Sequence, residues 1–430
     1  MKKLQSLAGA LGVAVLMAYM ATATVQAQVP ADILAGLKKI GQIVDPACTA
    51  KLYRPLMPVK DYNTYWPVGA TGPATMEQLY PGVTIARDVS FGPNPKDVID
   101  IFTADKGGDN RTVLMYVPGG GGNKIEQQER EGNAFYDNIG RWATKNGMVG
   151  VTVQRHPGMG NWDDGGRDIS LAVDYVKANI TKYKGNPNRI FIWAQSAGNG
   201  PTGVYVGHPE RWAHGVGVVG AIFMSGNPVP GLGGGAAGGR GAAPAGGAPA
   251  AGAPAGGAPA AAGGGGGRGA AAPSTCNGAG PGGNNGMIAG PSAQLPAAAR
   301  GAGPGGAPAA GGAPPAAAPA AGGGGGRGAP LTPEQQAERD NLPGFKATNV
   351  KIMLARAELD PGVMGAMLPA DIALHDELCK VDGPKAKDGV GHCPMMLYMK
   401  DESHMSAVFS IDTPDKTVSG PVLAFIKKVK

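Results

Sequence analysis

The chain has 430 residues and a formal net charge of +6 at pH 7, and 16% of its residues are charged. Two lysines near the start, Lys2 and Lys3, and four arginines between residues 231 and 330 account for the whole positive excess. The rest of the chain is electrically balanced, whereas nucleic-acid-binding domains concentrate positive charge. We therefore expect no nucleic-acid partner.

The N-terminus has the pattern of a secretory signal peptide. Lys2 and Lys3 precede an apolar run from Leu7 to Tyr19, and small residues follow up to a cleavage point after Ala27. The run is short for a bilayer crossing and no stop-transfer charges follow it. We therefore expect residues 1–27 to be removed and the mature chain, without a membrane span, to be periplasmic or secreted. No cysteine stands at the cleavage point, so a lipid anchor is not indicated.

Strands and helices alternate along the remainder of the chain. Apolar runs bounded by turn residues predict strands, and apolar residues at helical spacing predict helices. In chain order the predicted elements are the paired strands GVTIARDVSF and DVIDIFTA, the strand RTVLMYV, a helix over 133–145, the strand MVGVTVQ, a helix over 169–184, the strand ending before Ser196, the strands VVGAIFMSG and NVKIMLARAELD, a helix over 362–380, the strand CPMMLYM and the closing helix GPVLAFIKKV. The alternation predicts an α/β fold with a doubly wound, mostly parallel sheet, helices on both faces, and ligands at the carboxyl ends of the strands.

One long segment, residues 231–330, interrupts this pattern. It consists almost wholly of glycine, alanine and proline and contains GGGGGRGA twice. With almost no large apolar side chains, it has nothing to bury that would offset the conformational entropy lost on folding, so we predict a disordered insertion. Residues 28–230 and 331–430, about 300 residues together, then form one sizeable α/β domain that the insertion interrupts.

Three polar residues follow strands of the predicted sheet. Ser196 lies in the stretch RIFIWAQSAGNG, where glycines after a buried strand indicate a sharp strand-to-helix turn that lifts the hydroxyl clear of the sheet. Asp360 follows KIMLARAEL, and His404 follows MMLYMKDES. A serine hydroxyl becomes a good nucleophile when a histidine takes its proton and a carboxylate orients the imidazole, and the chain order Ser, Asp, His is one that serves this chemistry. The glycine-rich turn VPGGGG could supply backbone N–H groups that, with the N–H of Ala197, stabilise an oxyanion.

Plainer interpretations of some of these residues stay open. Asp360 could cap a helix, since aspartate before a proline such as Pro361 is a common helix start, and His404 could be an ordinary surface histidine. Asp371 and Asp376 fall within a helical pattern, where we expect them on a solvated face.

The ordered set VPGGGG, AQSAG, AELDP and SHMS resembles the α/β-hydrolase fold and is most similar to bacterial carboxylesterases of the lipase and esterase group, whose oxyanion turn reads His-Gly-Gly-Gly. The resemblance covers both blocks of the domain. It implies that Ser196 is the nucleophile, Asp360 the triad acid and His404 the general base, with an oxyanion hole of Gly120, Gly121 and Ala197.

The chain departs from this family pattern at several places. Pro118 stands where relatives have the histidine of the oxyanion turn, and Ala194 replaces the first glycine around the serine, but both changes leave the catalytic groups in place. In relatives, the segment after the sixth strand carries a lid, whereas here the insertion falls there, so we expect a poorly covered pocket that favours accessible or bulky substrates. Met159 and Trp162 either line this pocket or pack in the core.

The four cysteines suit an exported protein. Cys379 and Cys393 bracket the loop before the last strand, where we expect a disulfide that braces the approach to the triad histidine. A zinc site formed by these cysteines and His392 is the alternative. Three irregularly spaced ligands make a poor zinc site, so we expect no metal and no cofactor. The pairing of Cys48 and Cys276 stays open.

These features favour an exported serine carboxylesterase that hydrolyses small acyl or aryl esters through an acyl-enzyme. A non-catalytic relative that keeps the fold for binding is an alternative, supported by the two departures from the motifs and by the insertion. An amide-cleaving enzyme, such as a peptidase or an arylformamidase, would share the same triad. The expected partner is a small-molecule ester, and the sequence indicates no oligomeric state.

Overall fold

The computed structural model describes residues 28–57, 80–119, 135–154, 162–229, 232, 341–362 and 367–429. The predicted signal segment and all of the predicted insertion except Leu232 lie outside these residues. The described helices are α1 (Ala31–Ile40), α2 (Pro46–Tyr53), α3 (Asp137–Lys145), α4 (Trp162–Asn179), α5 (Asn199–Gly207), α6 (Leu342–Ala347), α7 (Leu368–Cys379), α8 (Ser406–Phe409) and α9 (Ser419–Lys428). The described strands are β1 (Val83–Ser90), β2 (Val98–Ala104), β3 (Arg111–Val117), β4 (Val149–Val153), β5 (Gly185–Gln195), β6 (Gly220–Met224), β7 (Lys351–Leu359) and β8 (Met395–Ser403).

The strands form one eight-stranded sheet in the order β1-β2-β4-β3-β5-β6-β7-β8. β2 is antiparallel to both of its neighbours, and every pairing from β4 to β8 is parallel. The predicted α/β class, the doubly wound and mostly parallel sheet, and the early antiparallel pair are confirmed. Parallel strands end at the same edge of the sheet, so the segments after β3, β5, β7 and β8 meet there.

The strand sequences explain why helices cover both faces. In β3 the side chains alternate, with Leu114 and Tyr116 in one apolar cluster and Val113, Met115 and Val117 in the other. Both faces are apolar, which is why such strands read as continuous apolar runs. Burying each large apolar side chain contributes about 1.5–3 kcal/mol, so both helix layers are held firmly to the sheet.

The two blocks of the chain contribute to the same sheet. β6, from the first block, pairs in parallel with β7, from the second, and Phe223 lies opposite Leu354. At the chain ends that flank the predicted insertion, the Nδ2 of Asn341 donates a hydrogen bond of 2.7 Å to the carbonyl of Pro228, 113 residues away in sequence. The strands on either side of residues 233–340 are therefore direct neighbours in one core.

Three predicted helices differ from the observed ones in their bounds. The helix predicted over 133–145 begins at Asp137 among the described residues, and the one predicted over 169–184 runs over α4 and continues as a 3₁₀ turn at Ile180–Tyr183. The helix predicted over 362–380 begins only at Leu368. Gly362 has a φ of 66°, outside the right-handed helical region, so it cannot be a helical residue.

One surface prediction was wrong. Asp371, expected on a solvated face of α7, is only 4% exposed, because its carboxylate pairs with the buried guanidinium of Arg356 on β7. Asp376, on the same helix, has a side chain that is 63% exposed, as expected.

Two N-terminal helices add to the fold beyond the predicted elements. Asp45 caps α2 by accepting a hydrogen bond from the backbone N–H of Cys48, and Pro46 occupies the first turn, a standard helix start. Tyr53 at the end of α2 is fully buried and donates a hydrogen bond to Asp415. Among the described residues, no helix is long and apolar enough to cross a membrane.

Candidate active site

Ser196 lies on a tight turn between β5 and α5. Its φ of 52° is in the left-handed region, which non-glycine residues rarely adopt. The turn is tied down by Asn199, whose Nδ2 donates hydrogen bonds to the carbonyls of Ser196 (2.8 Å) and Met224 (2.9 Å). Gly198 is required here, because a Cβ at that position would lie 2.7 Å from the carbonyl oxygen of Val117. This geometry raises the serine above the sheet edge at the start of a helix.

The alanine that replaces the family glycine two residues before Ser196 fits within the sheet. Ala194 is fully buried and pairs with Val117 on one side and Phe223 on the other. Its methyl group lies in the apolar cluster on one face of the sheet. The replacement of the family glycine by alanine is therefore compatible with the sharp turn that follows.

The structure brings Ser196, His404 and Asp360 together from three different strand ends. The Oγ of Ser196 lies 2.8 Å from Nε2 of His404, and Nδ1 of His404 lies 2.8 Å from Oδ1 of Asp360. His404 is 5% exposed and Asp360 is fully buried. In the neutral tautomer the serine hydroxyl donates to Nε2 and Nδ1–H donates to the carboxylate, which is the arrangement needed to activate a hydroxyl.

Asp360 is oriented by its own turn. Its Oδ2 accepts a hydrogen bond of 3.1 Å from the N–H of Ala357, while Oδ1 faces His404. Burial raises the pKa of this carboxyl, but the hydrogen bond and charge of His404, the charge of Arg356 and the hydroxyl of Ser225 outweigh burial and leave the pKa below its ordinary value. The carboxylate thus faces the imidazole, and the next helix, α7, begins at Leu368.

The segment that carries His404 is held from two sides. Gln195, one residue before the serine, donates a hydrogen bond of 3.2 Å from Nε2 to the carbonyl of His404. The N–H of Ser403 donates to Oγ of Ser406 at 2.6 Å. The hydroxyl of Ser406 in turn donates to the carboxyl of Glu402.

The turn after β3 approaches the serine closely. A Cβ at Gly119 would lie 2.6 Å from the Cβ of Ser196 and 2.6 Å from Oε1 of Gln195, so only glycine fits at this position. Ala197 follows the serine in the same turn, at the start of the 3₁₀ segment Ser196–Gly198. The other two predicted oxyanion donors, Gly120 and Gly121, lie outside the described residues.

Neither predicted pocket residue can be placed. Met159 lies outside the described residues, as does the side chain of Trp162, although Trp162 is the first residue of α4. Their assignment to the pocket or to the core therefore stays a prediction.

Glu402 is a buried acid close to the triad that the sequence analysis did not single out. It is fully buried two residues before His404. Burial and the charge of Asp415 raise its pKa well above the ordinary value, although the hydrogen bond from Ser406 opposes this. Its position within a strand that ends in DES gave no sign that the carboxyl points inward.

We expect the free energy of unfolding of Glu402→Gln to increase, relative to that of the unchanged protein, as the pH rises. The unfolded carboxyl ionises near pH 4.3, but the folded one stays protonated to higher pH, so the unchanged protein loses stability above about pH 4.3. Glutamine has no proton to lose. The difference in free energy of unfolding should therefore grow by up to about 1.4 kcal/mol per pH unit until the folded pKa is passed, measured by urea unfolding from pH 4 to pH 8.

Glu377→Gln is the control for this prediction. Hydrogen bonds from Lys346 and Lys380 lower the pKa of Glu377 to about 2, so its contribution is constant above about pH 5. A stability difference for Glu402→Gln that is equally flat over this range would show that Glu402 ionises normally in the folded protein.

A disulfide joins Cys379 at the end of α7 to Cys393 just before β8. His375 lies beside it, with Nε2 at 3.4 Å from Sγ of Cys379 and 3.7 Å from Sγ of Cys393. The proposed alternative ligand, His392, instead pairs with Asp382. Because both sulfurs are covalently bonded, they offer no thiolates to a metal ion. Cys48 is also disulfide-bonded, and Cys276 lies outside the described residues.

Replacing both Cys379 and Cys393 with serine is expected to lower the free energy of unfolding by about 3 kcal/mol, because the bond closes a loop with a sequence separation of 14. Urea unfolding of the double variant measures this loss. No thiol reductant is added to either protein, because it would also cleave the disulfide of Cys48. A change below about 0.5 kcal/mol would mean that the unfolded chain is not constrained by this bond.

A serine, a histidine and a carboxylate hydrogen-bonded in series at the carboxyl edge of such a sheet are the arrangement typical of serine-type α/β hydrolases. Residues 99–201, which include Ser196, match the model of the BD-FAE family, a family of α/β-hydrolase esterases. These findings confirm the resemblance to α/β-hydrolase carboxylesterases.

Curated relatives are similar over part of their length. Gut esterase 1 of Caenorhabditis elegans is 29% identical over 163 residues, which are 33% of this chain and 27% of that protein. Chlorogenic acid esterase of Aspergillus niger is 29% identical over 109 residues, 23% of this chain and 20% of that protein. The chain thus spans about a quarter and a fifth of these two relatives. Among solved structures, a truncated carbohydrate esterase from gut microbiota covers 80% of this chain and 95% of its own, with 12% identity and a TM-score of 0.43.

Proposed function

We propose that this protein is an exported serine carboxylesterase that hydrolyses small acyl or aryl esters through an acyl-enzyme. The observation that carries the proposal is the pair of 2.8 Å contacts of His404, one with the Oγ of Ser196 and one with Oδ1 of Asp360. A hydroxyl that served only for packing would not require an imidazole and an oriented carboxylate behind it. A binding protein would not require them either, so the geometry favours catalysis.

The reaction follows from these contacts. Oγ of Ser196 attacks the ester carbonyl carbon while Nε2 of His404 takes the hydroxyl proton, and the negative charge of Asp360 stabilises the imidazolium. The N–H of Ala197, with donors from the turn after β3, would stabilise the oxyanion. The imidazolium then gives its proton to the leaving alcohol, and the acyl group stays on Oγ. In the second half, His404 takes a proton from water, and the water oxygen attacks the acyl carbon. The imidazolium then returns the proton to Oγ of Ser196 as the C–Oγ bond breaks and the acid leaves.

The substrate class is supported by the names of the relatives. Both carry the name esterase, and one names chlorogenic acid. An ester of a bulky acid agrees with the expectation of an accessible pocket. Export is supported by the signal-peptide pattern of residues 1–27.

The test uses the mature chain, from residue 28, and the release of p-nitrophenol from acetate, butyrate and octanoate esters, with chlorogenic acid and a p-nitroanilide amide as further substrates. Ser196→Ala is the matched variant, because it removes one oxygen atom at a turn that stays otherwise unchanged. We expect hydrolysis of the esters, a burst equal to the enzyme concentration, and loss of both in the variant. Equal rates in the two proteins would overturn the proposal, and turnover of the anilide alone would establish amide cleavage instead.

A further inference from the structure

A fully buried arginine lies beside the carboxylate of Asp360. Arg356, on β7, is 2% exposed, and its Nη1 lies 3.7 Å from Oδ2 of Asp360. Its Nε and Nη2 donate to the two carboxylate oxygens of Asp371 at 2.7 and 2.9 Å, and Nη2 also donates to the carbonyl of Gly226 at 2.8 Å. Within the described residues, Nη1 makes no hydrogen bond, so its charge acts on Asp360 at a distance.

In this arrangement the guanidinium makes its hydrogen bonds with Asp371 and Gly226, whereas only its charge acts on Asp360. Burial of a guanidinium is costly unless it is paired, and the two-point contact with Asp371 satisfies that need. The same contact fixes the plane of the guanidinium, so Nη1 remains near Asp360 without bonding to it. Both oxygens of Asp360 therefore stay available, Oδ1 for His404 and Oδ2 for the N–H of Ala357.

We propose that Arg356, fixed in place by Asp371, is a positioning residue that keeps Asp360 anionic and directed at His404. The proposal rests on the proposed function, since its effect is on the reactivity of Ser196. It gives Asp371, which belongs to a helix outside the triad, a part in setting the pH range over which the triad works.

The charged groups that face Asp360 come from three elements. Arg356 lies on the same strand, His404 follows β8, and Asp371 reaches in from α7. Burial raises the pKa of Asp371, and the nearby Asp360 adds to this, whereas Arg356 opposes it. Because the cation is the charge closest to Asp360 after the imidazole, its removal should raise the pKa of Asp360, and the pH dependence of Ser196 labelling should follow.

The test compares Arg356→Met alone with Arg356→Met combined with Asp371→Leu. The double variant replaces a buried ion pair by apolar side chains, a change that folded proteins commonly tolerate. The first readout is the rate at which a fluorophosphonate labels Ser196 between pH 5 and pH 9. In this reaction Oγ forms a bond to phosphorus, the P–F bond breaks, fluoride leaves, and His404 takes the serine proton. The second readout is kcat and KM for p-nitrophenyl butyrate.

The acid limb of the labelling rate is the pH range in which the rate falls as the solution becomes more acidic. In both variants we expect its midpoint to shift to higher pH by about one unit. We also expect kcat to fall about tenfold with KM unchanged, because Arg356 is buried and so does not offer a surface for substrate binding. Arg356→Lys keeps the charge but not the two-point contact, so its acid limb should stay within about 0.3 pH unit of the unchanged protein. Asp376→Asn, on the exposed face of the same helix, is the control and should change neither readout.

A folded double variant with unchanged kcat and an unchanged acid limb would overturn the proposal, because the pair would then serve folding alone. If the apolar variants do not fold, the proposal is tested with Arg356→Lys and Asp371→Asn, since both variants keep the cation. Their acid limbs should lie no more than about 0.3 pH unit above that of the unchanged protein, and a larger rise would overturn the proposal. Labelling without ester turnover in the unchanged protein would contradict the esterase function, yet the pH profile of labelling would still test Arg356.

Discussion

Asp360→Asn is expected to lower kcat for a p-nitrophenyl ester by about 10⁴-fold with little change in KM. Asparagine has the same shape, but it carries no charge to stabilise the imidazolium. Its amide can also present N–H groups to Nδ1 of His404, which would then hold its proton on Nε2. That tautomer cannot accept the proton of Ser196, so the loss falls on the chemical step and not on binding.

Stability measurements must accompany this experiment. The pKa of Asp360 is lowered in the folded protein, so its charge stabilises the fold above about pH 3.9, and this contribution is lost as the pH falls through the folded pKa. Asp360→Asn should therefore be less stable at neutral pH, and its activity is measured well below its unfolding temperature. Asp174→Asn, at a half-buried aspartate on α4 paired with His214, is the matched control and should keep full activity. Retention of more than about a tenth of kcat in Asp360→Asn would remove Asp360 from the triad.

The sequence was sufficient to predict the sheet and the meeting of Ser196, His404 and Asp360, because both depend on local signals. Each buried strand is a short apolar run ended by glycine or a polar residue, and the fold class follows from the alternation of these runs with helical patterns. Once the strands are parallel, Ser196, Asp360 and His404 must meet at one edge, although 208 residues separate Ser196 from His404. No side-chain contact had to be known for this prediction.

The features that the sequence did not reveal depend on contacts between distant parts of the chain. Tyr53 is buried because its hydroxyl reaches Asp415, 362 residues further on. Asp371 is buried because Arg356, in the middle of β7, pairs with it. In the sequence, one arginine within an apolar run does not indicate which acidic residue will be its partner. The pocket-facing residues cannot be derived in this way, since they depend on the loops rather than on the periodicity of the sheet.

Gly119 lies so close to Ser196 that its replacement by alanine is also expected to have a large effect on activity. Gly119→Ala places a methyl group 2.6 Å from the Cβ of Ser196 and 3.1 Å from the backbone oxygen of Gln195, closer than carbon atoms tolerate. Either the serine or the turn after β3 must move away. We expect kcat/KM to fall at least about 10²–10³-fold, the cost of losing an oxyanion donor, because the donors and the serine no longer face the same carbonyl oxygen.

The expected loss can be separated from a folding defect with a second alanine. Gly108→Ala adds the same methyl group in the turn before β3, at the other end of that strand from Gly119, but nothing lies within 4 Å of that Cβ, so activity should be unchanged. Labelling of Ser196 in Gly119→Ala by a fluorophosphonate reports whether the triad still forms. Slow labelling together with slow ester turnover, in a variant that unfolds at the same urea midpoint as Gly108→Ala, places the defect in the local geometry of the site and not in folding. Wild-type ester turnover in Gly119→Ala would mean that the turn relaxes without cost and that the oxyanion donors lie elsewhere.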